Sequence, residues 1–134
     1  MNLSYQKPLI IGCGSWGTGL AALLSQNTTQ VTMLGRGEVI DQINNDHRNS
    51  RYLPDVSLSK NIVATLDFQC AEEADVVLFA VPTSAIRETA ENLSLFNIPV
   101  STPFISCAKG IEKTSGKRMS EIISDSFPDN PVAV

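Results

Sequence analysis

The sequence predicts an α/β fold: a doubly wound, mostly parallel sheet with helices on both faces. Three observations carry that expectation. Short apolar, β-prone runs alternate with amphipathic segments along the whole chain, which is the pattern of successive βαβ units. One run, "ADVVLFAVP" at residues 74–82, is continuously apolar, as a strand buried on both faces must be. Between the first apolar run and the first helical segment stand three closely spaced glycines, Gly12, Gly14 and Gly17.

Taken in order, "KPLIIG" (7–12) is the first strand and "GLAALLSQN" (19–27) the first helix. "QVTMLG" (30–35) is rich in residues that favour strands. "GEVIDQINND" (37–46) reads as a short helix with Val39, Ile40 and Ile43 on one face. A polar loop containing Asn, Pro and Ser follows, then a strand "IVATLD" (62–67) and a helical turn or two at "CAEEA" (70–74). After the apolar run at 74–82 come a helix "SAIRETAENL" (84–93), a strand "PFISCAK" (103–109), a helix "GKRMSEIISDSF" (116–127) and the start of a last strand, "PVAV" (131–134). No internal repeat, low-complexity tract or linker interrupts this order.

The length of 134 residues fits one domain. Ten basic against fourteen acidic side chains leave a net charge of −4, which argues against nucleic acid as a partner, since phosphate backbones call for clustered Lys and Arg. An anionic ligand must then be held by backbone N–H groups and a few placed cations. No apolar window approaches the roughly 18 residues of a membrane span, and "MNLSYQKP" lacks the basic and apolar segments of a secretory leader. Cys13, Cys70 and Cys107 are odd in number and form no C-x-x-C, so a reducing, cytoplasmic setting is expected, with the thiols serving as small buried apolar groups. His47 is expected at the surface, and Glu72, Glu73 and Asp75 as solvated charge at a helix end. The chain stops within an apolar, β-prone run, which points to a fragment of something longer.

Gly12, Gly14 and Gly17 satisfy G-x-G-x-x-G after a strand and into a helix, the dinucleotide fingerprint of a Rossmann-type fold. The first glycine permits the tight turn, the second lets a pyrophosphate approach the backbone, and the third lets the helix pack against the strand. A glycine-rich turn without a ligand is the bland alternative. At the end of the second strand, "TMLGRGE" places Gly35 where NAD-preferring folds carry an acidic residue, with Arg36 next. A guanidinium there suits the 2′-phosphate of NADP; Glu38 is close enough to keep NAD in play. Ligands in such sheets lie beyond the carboxyl ends of the strands. "FAVPTS" leaves the sheet at Pro82, which can wall the site, while Thr83 or Ser84 is expected to cap the next helix. "FISCAKG" leaves it at Lys109, a cation placed either for a substrate oxygen or simply for solvent.

"GCGSWGTGLA" resembles the opening of NAD(P)-dependent glycerol-3-phosphate dehydrogenases, and the likeness continues through "LGR", "NNDHRNSRYLPDVSL", "FAVPTS" and "CAKGIEKTSGKRMSEII". Gly19 stands where that family usually has Ala, and should loosen the first turn of the helix. The resemblance implies hydride transfer between NAD(P)H and dihydroxyacetone phosphate, giving sn-glycerol 3-phosphate for phospholipid synthesis in the bacterial cytoplasm. It implies that Ser15 and Trp16 line the dinucleotide, that Arg36 meets the adenosine ribose or its phosphate, and that Tyr52 borders the cofactor. Lys109 would lie between cofactor and substrate. It also implies that residues 1–134 are the cofactor domain alone, without the helical substrate domain, and that the full-length protein can be a homodimer. Nucleotide binding without turnover is then expected of this chain. Rival readings are a dehydrogenase of the related β-hydroxyacid type, a stand-alone dinucleotide sensor, and an S-adenosylmethionine or flavin site on the same architecture.

Overall fold

The computed structural model describes residues 4–134. Met1, Asn2 and Leu3, which open the segment read above for a leader, lie outside the described residues. Among the described residues, six strands form one sheet: β1 (Pro8–Ile11), β2 (Val31–Leu34), β3 (Ile62–Thr65), β4 (Val76–Phe79), β5 (Phe104–Ser106) and β6 (Val132–Ala133). Their order across the sheet is β3-β2-β1-β4-β5-β6, and all five pairings are parallel. The chain thus winds outward from β1 in one direction, returns, and winds outward in the other. The reversal falls between β1 and β4, where the register pairs Ile11 with Phe79.

Every residue of β1 and β4 is buried, because helices cover both faces. On one face α1 (Ser15–Leu24) and α2 (Val39–Asp41), which runs on as a π-helical turn over Gln42–Asp46, close over Ile10, Val31, Met33, Ile62 and Leu78. On the other, α3 (Thr83–Leu93) and α4 (Met119–Ser126) pack on Leu9, Val77, Phe79 and Phe104 through Ile86, Leu93, Ile122 and Phe127. Phe104 stacks on Phe127 with ring centroids 4.3 Å apart.

Several boundaries differ from the sequence reading. The first helix begins at Ser15, four residues before the expected start. Gly17 and Gly19 are weak helix formers, and packing against β1 outweighs that weakness. The segment at 70–74 is a 3-10 helix over Phe68–Glu73. The last helix begins only at Met119, where the Glu121 carboxylate accepts the Arg118 backbone N–H at 2.8 Å. Pro82, not Thr83 or Ser84, occupies the N-cap of α3, and no side chain caps that helix; the two hydroxyl residues already lie inside its first turn. Asp75 is not solvated charge. Its carboxylate accepts the N–H groups of Gln6 at 2.6 Å and Lys7 at 3.0 Å, so it anchors the chain entering β1 to the start of β4. Glu72 likewise accepts the Asn97 N–H at 3.0 Å.

Cys13 is buried as expected, whereas Cys70 and Cys107 are only half-buried. His47 is not a surface residue either: it is half-buried, its Nδ1 is enclosed without a partner, and its backbone is left-handed at φ 53°. Asn44, to which the sequence reading assigns no role of its own, exchanges two hydrogen bonds with the backbone of Ala64 at 2.8 and 2.9 Å and so covers the exposed edge of β3.

The two glycines inside α1 make opposite demands. A Cβ at Gly17 would run into the carbonyl oxygen of Gly12, whereas a Cβ at Gly19 would meet nothing within 4 Å. Gly17→Ala should therefore destabilise the domain by about 1–3 kcal/mol through overpacking. Gly19→Ala should stabilise it by about 0.5–1 kcal/mol, because a helical glycine costs backbone entropy. Urea denaturation of the two variants checks both signs; equal shifts would contradict the packing described.

Candidate functional site

The site grows from the end of β1. Gly12 has φ 113°, a conformation that L side chains rarely adopt, and a Cβ there would run into the Ala80 carbonyl oxygen beyond β4. Its N–H is spent on the Leu34 carbonyl of β2 at 2.8 Å. The turn is therefore wedged between β2 and β4. At Gly14, the N-cap of α1, no side chain supplies a capping bond, and a Cβ would meet nothing within 4 Å. The first helical hydrogen bond runs from Thr18 N–H to the Gly14 carbonyl. The preceding N–H groups of a helix have no intrahelical partner and carry the positive end of its dipole. Ten residues of helix aim at open space there, an arrangement that accepts a phosphate without any side-chain charge.

The turn is held from below by Asn49, which is fully buried. Its amide donates to the Cys13 carbonyl at 2.9 Å and to the Thr18 hydroxyl at 2.8 Å. One side chain of the 47–58 loop thereby fixes both the turn and the helix that follows it. Sequence reasoning gave Asn49 no role. Its sequence signal is its place in "NNDHRNSRYLPDVSL", one of the segments that carry the family resemblance. Beside it, the Ser15 hydroxyl donates to the Tyr52 carbonyl at 2.9 Å, and the Tyr52 ring lies under the Arg51 guanidinium, 5.2 Å from its centroid.

A cleft of about 610 Å³ opens over the carboxyl ends of β1, β2 and β4. Of the residues predicted from sequence, Gly12, Gly14, Arg36, Tyr52 and Pro82 line it. Arg36 is exposed at the end of β2. Leu66, Phe68 and Val81 add an apolar wall that the sequence reading did not single out. Gly17 is sealed beneath the turn, and Ser15 and Trp16 lie at the start of α1 on its outer side. The Trp16 indole is largely exposed; burial pushes the Cys107 thiol up, and the Trp16 indole works against that shift.

Lys109 is exposed beyond the end of β5 and does not line the cleft. The segment that carries it is tied down at two points. Gly110, at φ 139°, passes close enough to Thr83 that a Cβ would lie 3.2 Å from that methyl. Two residues further on, Glu112 takes a two-pronged bond from Arg87 of α3, at 2.7 and 2.9 Å, and accepts the Ser115 hydroxyl at 2.5 Å. Arg87 also contacts Asp125, which pairs with Lys117 at 2.8 Å. Neither Arg87 nor Glu112 stood out as a site residue in the sequence, because they are 25 positions apart.

The sheet reversal beside β1, with a glycine turn leading into a helix at that point, defines a doubly wound domain of the Rossmann type. The chain belongs to a family within that class, the NAD-dependent glycerol-3-phosphate dehydrogenase N-terminus, whose model matches residues 8–134. It is 44% identical over 126 residues to a protein of Bacillus velezensis named glycerol-3-phosphate dehydrogenase, NAD(P)+, covering 92% of this chain and 36% of that protein. Among solved structures, a glycerol-3-phosphate dehydrogenase of Plasmodium falciparum matches with a TM-score of 0.85 and 30% identity over 96% of this chain and 40% of that one. The enzyme of Coxiella burnetii matches with the same TM-score and 26% identity, over 95% and 39%. The chain thus spans little more than a third of the length of the curated relatives it matches.

The Arg87 fork, helped by the Ser115 hydroxyl, holds the Glu112 carboxyl at about 2, below its ordinary 4.5. A carboxylate depressed in the folded state stabilises that state above its unfolded value and loses the effect as pH falls through the folded one. The anchor should therefore be complete above about pH 4.5 and fade toward about pH 2. A side-chain carbon NMR titration should show this low value, and Arg87→Ala should return Glu112 toward 4.5. An unchanged titration in the variant would refute the anchoring role.

Proposed function

We propose that this chain is the NAD(P)-binding part of an oxidoreductase that interconverts dihydroxyacetone phosphate and sn-glycerol 3-phosphate, feeding glycerophospholipid synthesis in the cytoplasm. The observation that carries the proposal is the turn at Gly12–Gly17: closed to side chains below, open above Gly14, and set at the end of a helix with an uncapped N-terminus. A pyrophosphate fits that cradle in size and charge. Ser15 and Trp16 bound the dinucleotide on the α1 side, while Tyr52 and Pro82 form walls of the cleft. Arg36 meets the adenosine ribose, and the absence of a side chain at Gly35 favours NADPH over NADH.

The nicotinamide, when bound, supplies or accepts the hydride. The chain's own contribution to the chemistry is Lys109, a cation presented by an anchored segment at the carboxyl edge of the sheet. It stabilises negative charge developing on the substrate's carbonyl oxygen. In this reading residues 1–134 lack the helical substrate domain, the full-length protein is a soluble enzyme capable of pairing as a homodimer, and nucleic acid is not a partner.

Two measurements test the proposal. NADPH and NADH are titrated against this chain with Trp16 fluorescence as the signal, and Arg36→Ala is run alongside. NADPH should bind more tightly by about tenfold, or roughly 1.4 kcal/mol, and the variant should lower its affinity to that of NADH. Equal affinities in both proteins would remove the 2′-phosphate reading. Separately, dihydroxyacetone phosphate with NADPH should give no turnover with these 134 residues alone; measurable oxidation of NADPH would overturn the assignment of the catalytic half to a further domain.

A further inference from the structure

The slot at the end of β2 is empty for a reason that lies in the glycine turn. Gly35 is not among the glycines with positive φ, so its backbone would accept any residue. What excludes a side chain there is Cys13, the residue between the first two glycines of the fingerprint. A Cβ at Gly35 would run into the Cys13 sulfur and lie 3.1 Å from its Cβ, with Val39 at 4.0 Å on the far side.

Cys13 has little freedom to yield. It is buried, and its carbonyl is held by the Asn49 amide at 2.9 Å. Its neighbour Gly12 is pinned to β2 through the bond to the Leu34 carbonyl. Burial also pushes the thiol up to about 11, so it stays neutral and fills space as a small apolar group. The second-strand slot and the fingerprint turn are therefore one packing unit.

We propose that Cys13 acts on cofactor specificity only through Gly35: by filling the space over that glycine, it keeps the ribose slot free of a carboxylate and leaves the 2′ position to Arg36. This rests on the dinucleotide reading of the cleft and extends it to Cys13, which lines the cleft beside Gly35. Cys13 thus acts as a positioning residue through Gly35.

The test is a cycle of Gly35→Asp, Cys13→Ala and the double variant in this chain, reading the thermal midpoint and the ratio of NADH to NADPH affinity. Gly35→Asp alone should lower the midpoint by about 5 °C or more, the scale of one overpacked group in a domain of this size. Cys13→Ala alone should leave the affinity ratio within about twofold of the parent, well inside one decade of affinity. The double variant should recover at least half of the lost midpoint and prefer NADH by about tenfold.

Gly35→Asp that keeps the parent midpoint, or that prefers NADH without help from Cys13→Ala, would overturn the proposal. So would midpoints that simply add in the double variant. If the parent binds neither dinucleotide, the cofactor reading and the specificity role both fall. The midpoints would still report whether positions 13 and 35 compete for space, so the two failures stay distinct.

Discussion

The contact on which the rest of the molecule depends is the approach of Gly17 to the Gly12 carbonyl, closer than any side chain would permit. It sets the first helix down almost on the end of the first strand. Because that strand is central, the approach fixes where the helix N-terminus points relative to β2 on one side and β4 on the other. A dipole end aimed at the sheet's reversal favours an anion there, even in a chain with a net charge of −4. The glycines therefore do more than leave room for a ligand. They convert a backbone packing distance into a binding direction.

Such a turn is poorly braced by its own residues, since glycines bring no side chains to pack. The bracing comes from elsewhere. Asn49 reaches in from the loop after α2 and satisfies the Cys13 carbonyl and the Thr18 hydroxyl together; a buried amide in a low-dielectric site makes strong bonds and is costly to leave unmade. The Ser15 hydroxyl ties the same loop to the start of α1 through Tyr52. On the other half of the sheet, the segment after β5 is braced by α3 through Arg87 and Glu112. The glycine turn and the segment after β5 are thus both stiffened by side-chain bonds from other parts of the chain, a rigid surround of the kind that precise ligand placement demands.

How legible this was in the sequence depends on the range of the interaction concerned. The strands were readable because burial on two faces leaves a local trace, seven apolar residues running from Val76 to Pro82. The fingerprint was readable because three glycines at fixed spacing encode a local geometry, and Arg36 because it follows directly on a strand. The onset of α1 was not, since Gly17 argues locally against the helix it makes possible. Asn49, Asp75 and the Arg87–Glu112 pair were illegible for a common reason: each is a polar residue whose partner lies 25 or more positions away. Hydrophobic periodicity says nothing of such pairs, and only the topology brings them together. Thr83 and Ser84 misled in the opposite sense, because their local suitability as caps was overridden by where Pro82 placed the helix start.

The same distinction bears on what a binding motif is. G-x-G-x-x-G names three positions and leaves the others free, yet Cys13, one of the free ones, fills the space over Gly35 and is itself held by Asn49. The residue at one free position thus constrains the residue at the end of the neighbouring strand, and a third residue from a loop keeps the first from moving. In a close-packed interior, volume is shared among neighbours. If the end of β2 reads the cofactor as proposed, that reading belongs to the turn, the strand and the loop together, and substituting the strand residue alone addresses only one of the three.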